Sequence, residues 1–115
     1  MHLVICCVSS WKLFFSLGHY LYIESSAPRV KDDYAHIASE VFKVNPTYNW
    51  CVSFWYHMNG LTTGSLVLES RYKASWTGGR YTYRRHWTQT GNHKDEWHWQ
   101  QVTVTQSYDF QVRFS

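Results

Sequence analysis

The strongest pattern in the sequence is a period-two alternation over residues 50–60 (WCVSFWYHMNG). Large apolar side chains occupy every second position, namely Trp50, Val52, Phe54, Tyr56 and Met58. Because successive side chains of a β-strand point to opposite faces of its sheet, this pattern indicates a long strand with one buried face. The Asn59-Gly60 pair predicts the turn that ends it. Such a strand needs a second layer to cover its apolar face.

Shorter segments with strand-like patterns recur between turns that contain Gly, Pro or Asn. They predict strands at residues 18–23, 35–44, 65–70, 81–90, 97–105 and 108–114. Among the shorter segments, the side chains expected to face inward are Leu66, Leu68, Tyr81, Tyr83 and Trp87, while Val102 and Val104 share one face. No stretch sustains a helical period. The sequence therefore predicts an all-β sandwich of antiparallel strands.

Residues 51–60 (CVSFWYHMNG) resemble the central signature of MAM domains, the extracellular module of meprins, neuropilins and mu-type receptor tyrosine phosphatases. Later segments follow in the family's order: a Gly-x-Leu strand at residues 64–66, a Gly-Asn turn at 91–92, a Trp at 97 and a Phe-Gln-Val-x-Phe strand at 110–114. The resemblance covers about residues 18–115. It implies a MAM-like, concanavalin-like fold, that is, an antiparallel jelly-roll β-sandwich.

Residues 1–17 (MHLVICCVSSWKLFFSL) lie outside this resemblance and form an atypical apolar N-terminal segment. They lack the early positive charge and the uninterrupted apolar run of a secretory signal. They are also too short and too polar to span a bilayer. The two interpretations are a degraded signal peptide and a substitute N-terminus, of which the second is favoured. Residues 18–115 are then a partial MAM-like domain.

The three cysteines are Cys6, Cys7 and Cys51. An odd number in an oxidising compartment implies a free thiol, an intermolecular bridge or a missing partner. In MAM domains the cysteine that opens the central strand pairs with one after a closing Gly-Asp-Ile-Ala-x-Asp-Asp strand. Neither that strand nor the family's opening Cys-Asp-Phe-Glu-like strand has a counterpart here. The resemblance therefore implies that the partner of Cys51 lies outside this chain, unless Cys51 stays free or bridges to Cys6 or Cys7.

Composition narrows the possible chemistry. Aromatic residues make up 19% of the 115 residues and charged residues 17%, which excludes a disordered chain, and the net charge of +3 is mild. Cys51 and His57 lie about 20 Å apart along one strand, too far to form a catalytic dyad. His93 and His98 lack zinc-protease spacing, and on a strand their odd spacing would point them to opposite faces. We expect no catalytic site, no metal and no cofactor, and we expect His57 to be hydrogen-bonded near its strand end.

The remaining candidates are interaction residues. Arg and Tyr or Trp interleave around residues 80–87, and not every Trp fits on an inner face. The interaction candidates are Trp76, Arg80, Arg84, Arg85 and Trp99. The resemblance implies protein–protein contact, including homophilic contact, in adhesion or oligomerisation of a secreted or membrane-associated protein. An acidic glycan is a further possible partner, nucleic acid is not expected, and membrane contact is expected only through the parent protein. The alternatives are a carbohydrate-binding sandwich and, less favoured, an enzyme.

Overall fold

The structure is a computed structural model that describes residues 2–8, 21–22, 34, 36–44, 49–60, 63–73 and 78–115, with only the backbone described at 2–8 and 21–22. These residues form β-strands and no helix. The strands are β1 (His2–Val8), β2 (Leu21–Tyr22), β3 (Ile37–Ala38), β4 (Trp50–His57), β5 (Ser65–Lys73), β6 (Tyr81–Thr90), β7 (His98–Val104) and β8 (Gln111–Phe114). No segment of the described chain is therefore an apolar helix of membrane-spanning length.

The strands form two antiparallel sheets. The first sheet has the order β2-β1-β4-β7 and the second has the order β3-β8-β5-β6. The predicted all-β sandwich is confirmed, and β4 holds the interior position of the first sheet that its pattern predicted, between β1 and β7. The strand β1 lies in the segment 1–17, where the sequence indicated no strand, and its Leu3 is paired with Tyr56 of β4.

The core lies between the sheets. Val52, Phe54 and Met58 on the inner side of the first sheet are fully buried, as are Leu66 and Leu68 of β5. The Phe54 ring centroid lies 5.0 Å from that of Phe114 and 5.1 Å from that of Trp87, both in edge-on geometry that aromatic pairs prefer. The predicted inward positions of β4 and β5 are thus confirmed. The strand β4 ends at His57, and Gly60 adopts a positive φ of 117° in the predicted turn.

The predicted orientation of the first half of β6 is wrong. Leu68 pairs with Trp87 but the next residue, Glu69, pairs with Arg85, so His86 is an extra residue in β6. This β-bulge shifts the alternation by one position. Trp87 packs against the core as expected, whereas Tyr81 and Tyr83 pair with the outward-facing Lys73 and Arg71. Tyr83 is accordingly 45% exposed.

Some strand boundaries also differ from the predictions. The strand β5 continues to Lys73, beyond the expected end at residue 70. The predicted strand 35–44 reduces to β3 and an isolated bridge between Phe42 and Phe110. The predicted strand 18–23 is described only at Leu21 and Tyr22, which form β2.

Candidate interaction surfaces

The outer face of the first sheet carries exposed tryptophans. Trp55 of β4 pairs directly with Trp99 of β7, and their ring centroids lie 5.2 Å apart. Trp97 precedes β7 and its ring lies 5.4 Å from that of His57, the next outward residue of β4. Trp55, Trp97 and Trp99 are 40%, 41% and 46% exposed. We call these three residues the tryptophan surface.

One hydrogen bond between side chains borders the tryptophan surface. Nε2 of His57 lies 2.8 Å from Oδ1 of Asp95, so the hydrogen bond expected for His57 is present. Asp95 comes from the loop between β6 and β7 and is exposed, while His57 is half-buried. The contact fixes the loop against the end of β4 and so positions Trp97 beside it.

The outer face of the second sheet is basic. Alternate residues of β5 and their cross-strand partners place four cations and one carboxylate on this face. We call these five residues the basic surface: Arg71, Lys73, Arg85, Arg113 and Glu69. Nε of Arg113 donates to Oε1 of Glu69 at 2.6 Å. Arg71 and Lys73 lie 4.1 and 4.5 Å from the Tyr81 ring centroid. The Arg113 guanidinium lies 4.5 Å from the centroid of Tyr83.

A polar cluster lies on the inner side of the second sheet. Oγ of Ser70 is 2.6 Å from Nε2 of His86 and also accepts a hydrogen bond from Nε2 of Gln106. Burial lowers the pKa of His86, and the positive charge of Arg84 lowers it further. Ser70 and His86 thus share a hydrogen bond whose direction is set by the imidazole tautomer, while Gln106 donates to the same hydroxyl oxygen. The sequence analysis missed this pair, although Ser70 continues the inward series of Leu66 and Leu68.

The Ser70–His86 contact does not form an accessible nucleophile. Ser70 is 0% exposed, so no substrate carbon can approach its hydroxyl oxygen. The hydrogen bonds described for His86 include none to a carboxylate that would orient it as a base. The contact instead satisfies a polar group that the sandwich buries.

A cleft of about 350 Å³ lies beside this cluster, between β6 and the connection from β7 to β8. Nη1 of Arg84 donates to the Thr105 carbonyl oxygen across it at 3.2 Å, which links the edges of the two sheets. The rings of Tyr72 and Tyr108 stack 4.9 Å apart at its wall. Each of these two rings therefore has one face covered by the other.

The predicted interaction residues do not converge on one place. Trp99 belongs to the tryptophan surface and Arg85 to the basic surface, while Arg84 reaches the cleft. Arg80 is exposed just before β6, and Trp76 lies outside the described residues. These candidates remain predictions.

The cysteine and histidine candidates are placed as follows. Cys51 is half-buried with a free thiol, and its pairing outside the chain stays a prediction. His93 lies in a loop, so the alternation of a strand does not apply to it, and its ring centroid lies 6.1 Å from that of His98. In the described part of the chain, no three His, Cys, Asp or Glu side chains are grouped as metal ligands.

Comparison with known proteins identifies the fold family. The family model of the MAM domain, meprin/A5/mu, matches residues 12–115. The chain belongs to the MAM domain family. The resemblance carried by residues 51–60 is thereby confirmed, and with it the extracellular, membrane-associated location expected of this module.

Curated relatives support the same assignment. MAM domain-containing glycosylphosphatidylinositol anchor protein 1 is 35% identical over 97 residues in Gallus gallus and in Homo sapiens, covering 84% of this chain and 10% of each relative. The corresponding protein 2 of Mus musculus is 32% identical over 105 residues, with the same two shares. The MAM domain described here thus spans about a tenth of the length of these relatives. No solved structure matches it significantly.

Proposed function

We propose that this MAM domain is a non-catalytic module that mediates protein–protein contact in cell adhesion or oligomerisation. It would act within a secreted or membrane-anchored multidomain protein. The relatives named as glycosylphosphatidylinositol-anchored proteins support this setting, since each contains a MAM domain and is about ten times longer than the matched segment. Membrane contact would then come from the parent protein.

The observation that carries the proposal is the tryptophan surface. Trp55 and Trp99 form an adjacent aromatic pair on a sheet face, and Trp97 extends it to the edge of the sheet. Trp is enriched among the residues that contribute most to protein–protein binding, because a large apolar ring fills a partner's pocket at small entropic cost. The three rings stay 40–46% exposed, so part of their apolar surface remains available to a partner.

The chemistry of this face favours a second copy of the chain as partner. On the side of the tryptophans toward residues 51 and 103, the outward positions of β4 and β7 are uncharged: Cys51, Gln101 and Thr103, with the buried Ser53. On the opposite side, the carboxylate of Asp95 is hydrogen-bonded to His57. Two copies can therefore meet through the uncharged side of this face about a twofold axis without like-charge repulsion. The basic surface could not self-associate in this way, because its cations would oppose one another.

The experiment is sedimentation velocity of the full 115-residue chain over a range of protein concentrations. We expect reversible dimerisation that the double variant Trp55→Ala/Trp99→Ala abolishes. The matched control is Tyr83→Ala, which removes a similarly exposed ring from the opposite sheet and should leave dimerisation intact. Association that persists in the tryptophan variant, or a wild-type chain that stays monomeric at its highest soluble concentration, would contradict the homophilic proposal.

The second candidate is a carbohydrate-binding module, which the same exposed rings favour because tryptophan faces stack on sugars. A glycan array separates the two proposals. Neutral-glycan binding that is lost in Trp99→Ala, together with a monomeric wild type, would support the lectin-like function. Dimerisation without any neutral-glycan signal would support adhesion.

A further inference from the structure

The geometry points to a second binding site: the basic surface binds a linear sulfated polysaccharide of the cell surface. This inference does not depend on self-association through the tryptophan surface, which lies on the other sheet. It requires only that the face be cationic, accessible and extracellular. The MAM family supplies the last of these conditions.

The strand register concentrates positive charge on one face. Along the outward positions of β5, β6 and β8, Glu69 is the only carboxylate, and it is flanked by Arg113 on one side and Arg85 on the other. Arg71 and Lys73 follow on β5. From the Glu69 row to the Lys73 row the face extends about 13 Å, and from β8 to β6 about 10 Å. A few consecutive sugar rings of an extended polysaccharide fit on such an area.

The cations of this face are held in place before any ligand arrives. Arg71 and Lys73 lie against the Tyr81 ring, and Nε of Arg71 donates to Oε1 of Gln111 at 3.1 Å. A guanidinium fixed on an aromatic ring loses little further freedom on binding and still presents donors to an oxyanion. Because Glu69 compensates Arg113, the charges available to a ligand are those of Arg71, Lys73 and Arg85.

The shape and chemistry of the face favour a sulfated glycan over other polyanions. Single-stranded nucleic acid binding relies on bases stacking on open aromatic rings. Here Tyr81 and Tyr83 each carry a cation against a ring face, so that mode is blocked on those faces. A sheet face with cations spaced along and across its strands suits a ligand whose charges repeat along its length. Sulfate esters on an extracellular polysaccharide provide such charges.

The experiment measures retention of the full chain on immobilised heparin as a function of NaCl, with selectively desulfated heparin as the second probe. We expect binding that weakens with salt and falls strongly on desulfation. The double variant Lys73→Gln/Arg85→Gln should lose about tenfold in affinity. Lys94→Gln removes an exposed cation from the β6–β7 loop and should change the affinity less than about twofold.

Urea denaturation checks that each variant remains folded, and Trp55→Ala/Trp99→Ala should bind heparin like the wild type. Equal loss in the basic-surface and Lys94 variants would overturn the proposal, as would equal binding to desulfated heparin. Equal or tighter binding of polyglutamate or of a single-stranded oligonucleotide would also overturn it. Loss of dimerisation with heparin binding retained would leave it standing.

Discussion

The ion pair between Glu69 and Arg113 offers the sharpest test of how the second sheet is stabilised. The two side chains belong to neighbouring strands, β5 and β8, and are only 12% and 20% exposed. Glu69→Gln keeps the shape of the side chain but removes its charge. Arg113 would then remain against Tyr83 in a largely desolvated position, with a neutral amide as its acceptor.

The expected loss follows from this geometry. The carboxylate accepts from Nε of Arg113 at 2.6 Å and also contacts Nη2. A hydrogen bond between charged groups contributes about 1.5–3 kcal/mol to stability, so we expect Glu69→Gln to destabilise the domain by about that amount. With an ordinary urea m-value of a small domain, the unfolding midpoint should fall by about 1 M. Since both groups are mostly shielded from solvent, added salt should change this loss little.

A double-mutant cycle with Arg113→Met isolates the pair. The stability losses of the two single variants should add up to more than the loss of the double variant, and the difference, the coupling energy, should be about 1–3 kcal/mol. Glu96→Gln is the matched control, because it makes the same chemical change at an exposed carboxylate and should leave the midpoint unchanged. A coupling energy below about 0.5 kcal/mol would refute a stabilising role of the Glu69–Arg113 pair. The contact with Tyr83 would then be the interaction that positions Arg113. Glu69→Gln should also tighten heparin binding, since it removes the one carboxylate of the basic surface.

Three further predictions concern the core and the response to pH. Phe54→Ala should destabilise the domain by about 3–5 kcal/mol in urea titrations, whereas Trp55→Ala, one residue away on the exposed side, should cost no more than about 1.5 kcal/mol. The pKa of His86 is lowered from 6.5, so folding favours its neutral form. The contribution of His86 to the free energy of unfolding is therefore complete above pH 6.5 and is lost as the pH falls through the folded-state pKa. Urea midpoints at about pH 8 and about pH 5 should show this loss in the wild type and less of it in His86→Gln. The pKa of Asp109 is lowered below 3.8, chiefly by the hydrogen bond from the Val44 amide and also by Lys43. Asp109→Asn should therefore be less stable than the wild type at neutral pH. The two proteins should be equally stable after acidification through the folded-state pKa of Asp109.

The period-two pattern predicted the strands that pack flat against the core. In the central part of β4 and the first half of β5, the inward residues face a second layer, so burial selects apolar side chains at Val52 and Phe54 and at Leu66 and Leu68. The same alternation gave the wrong orientation for the first half of β6, because an extra residue in a strand cannot be recognised from residue types. His86 sits between Arg85 and Trp87 with nothing local to distinguish it from a regular position.

The interaction surfaces were harder to predict, because each combines residues from several strands. Arg84 and Arg85 form one cluster in the sequence, yet adjacent strand residues point to opposite sides, and only Arg85 shares a face with Arg71. Trp99 was named as an interaction candidate because not every Trp fits on an inner face. Its pairing with Trp55 depends on the register between β4 and β7, which 43 intervening residues leave undetermined at the sequence level.

The extra residue at His86 also makes this part of the fold sensitive to length in a discrete way. Deleting one residue there would not shorten β6 gradually; it would exchange the environments of odd and even positions between residues 81 and 85. Tyr81 and Tyr83 would then turn toward the interior of the sandwich, and Thr82 and Arg84 toward water. Relatives that lack this extra residue should therefore show the inverse order of aromatic and polar residues in the first half of β6. A one-residue gap at this position of an alignment would then mark a change in side-chain orientation that percentage identity does not report.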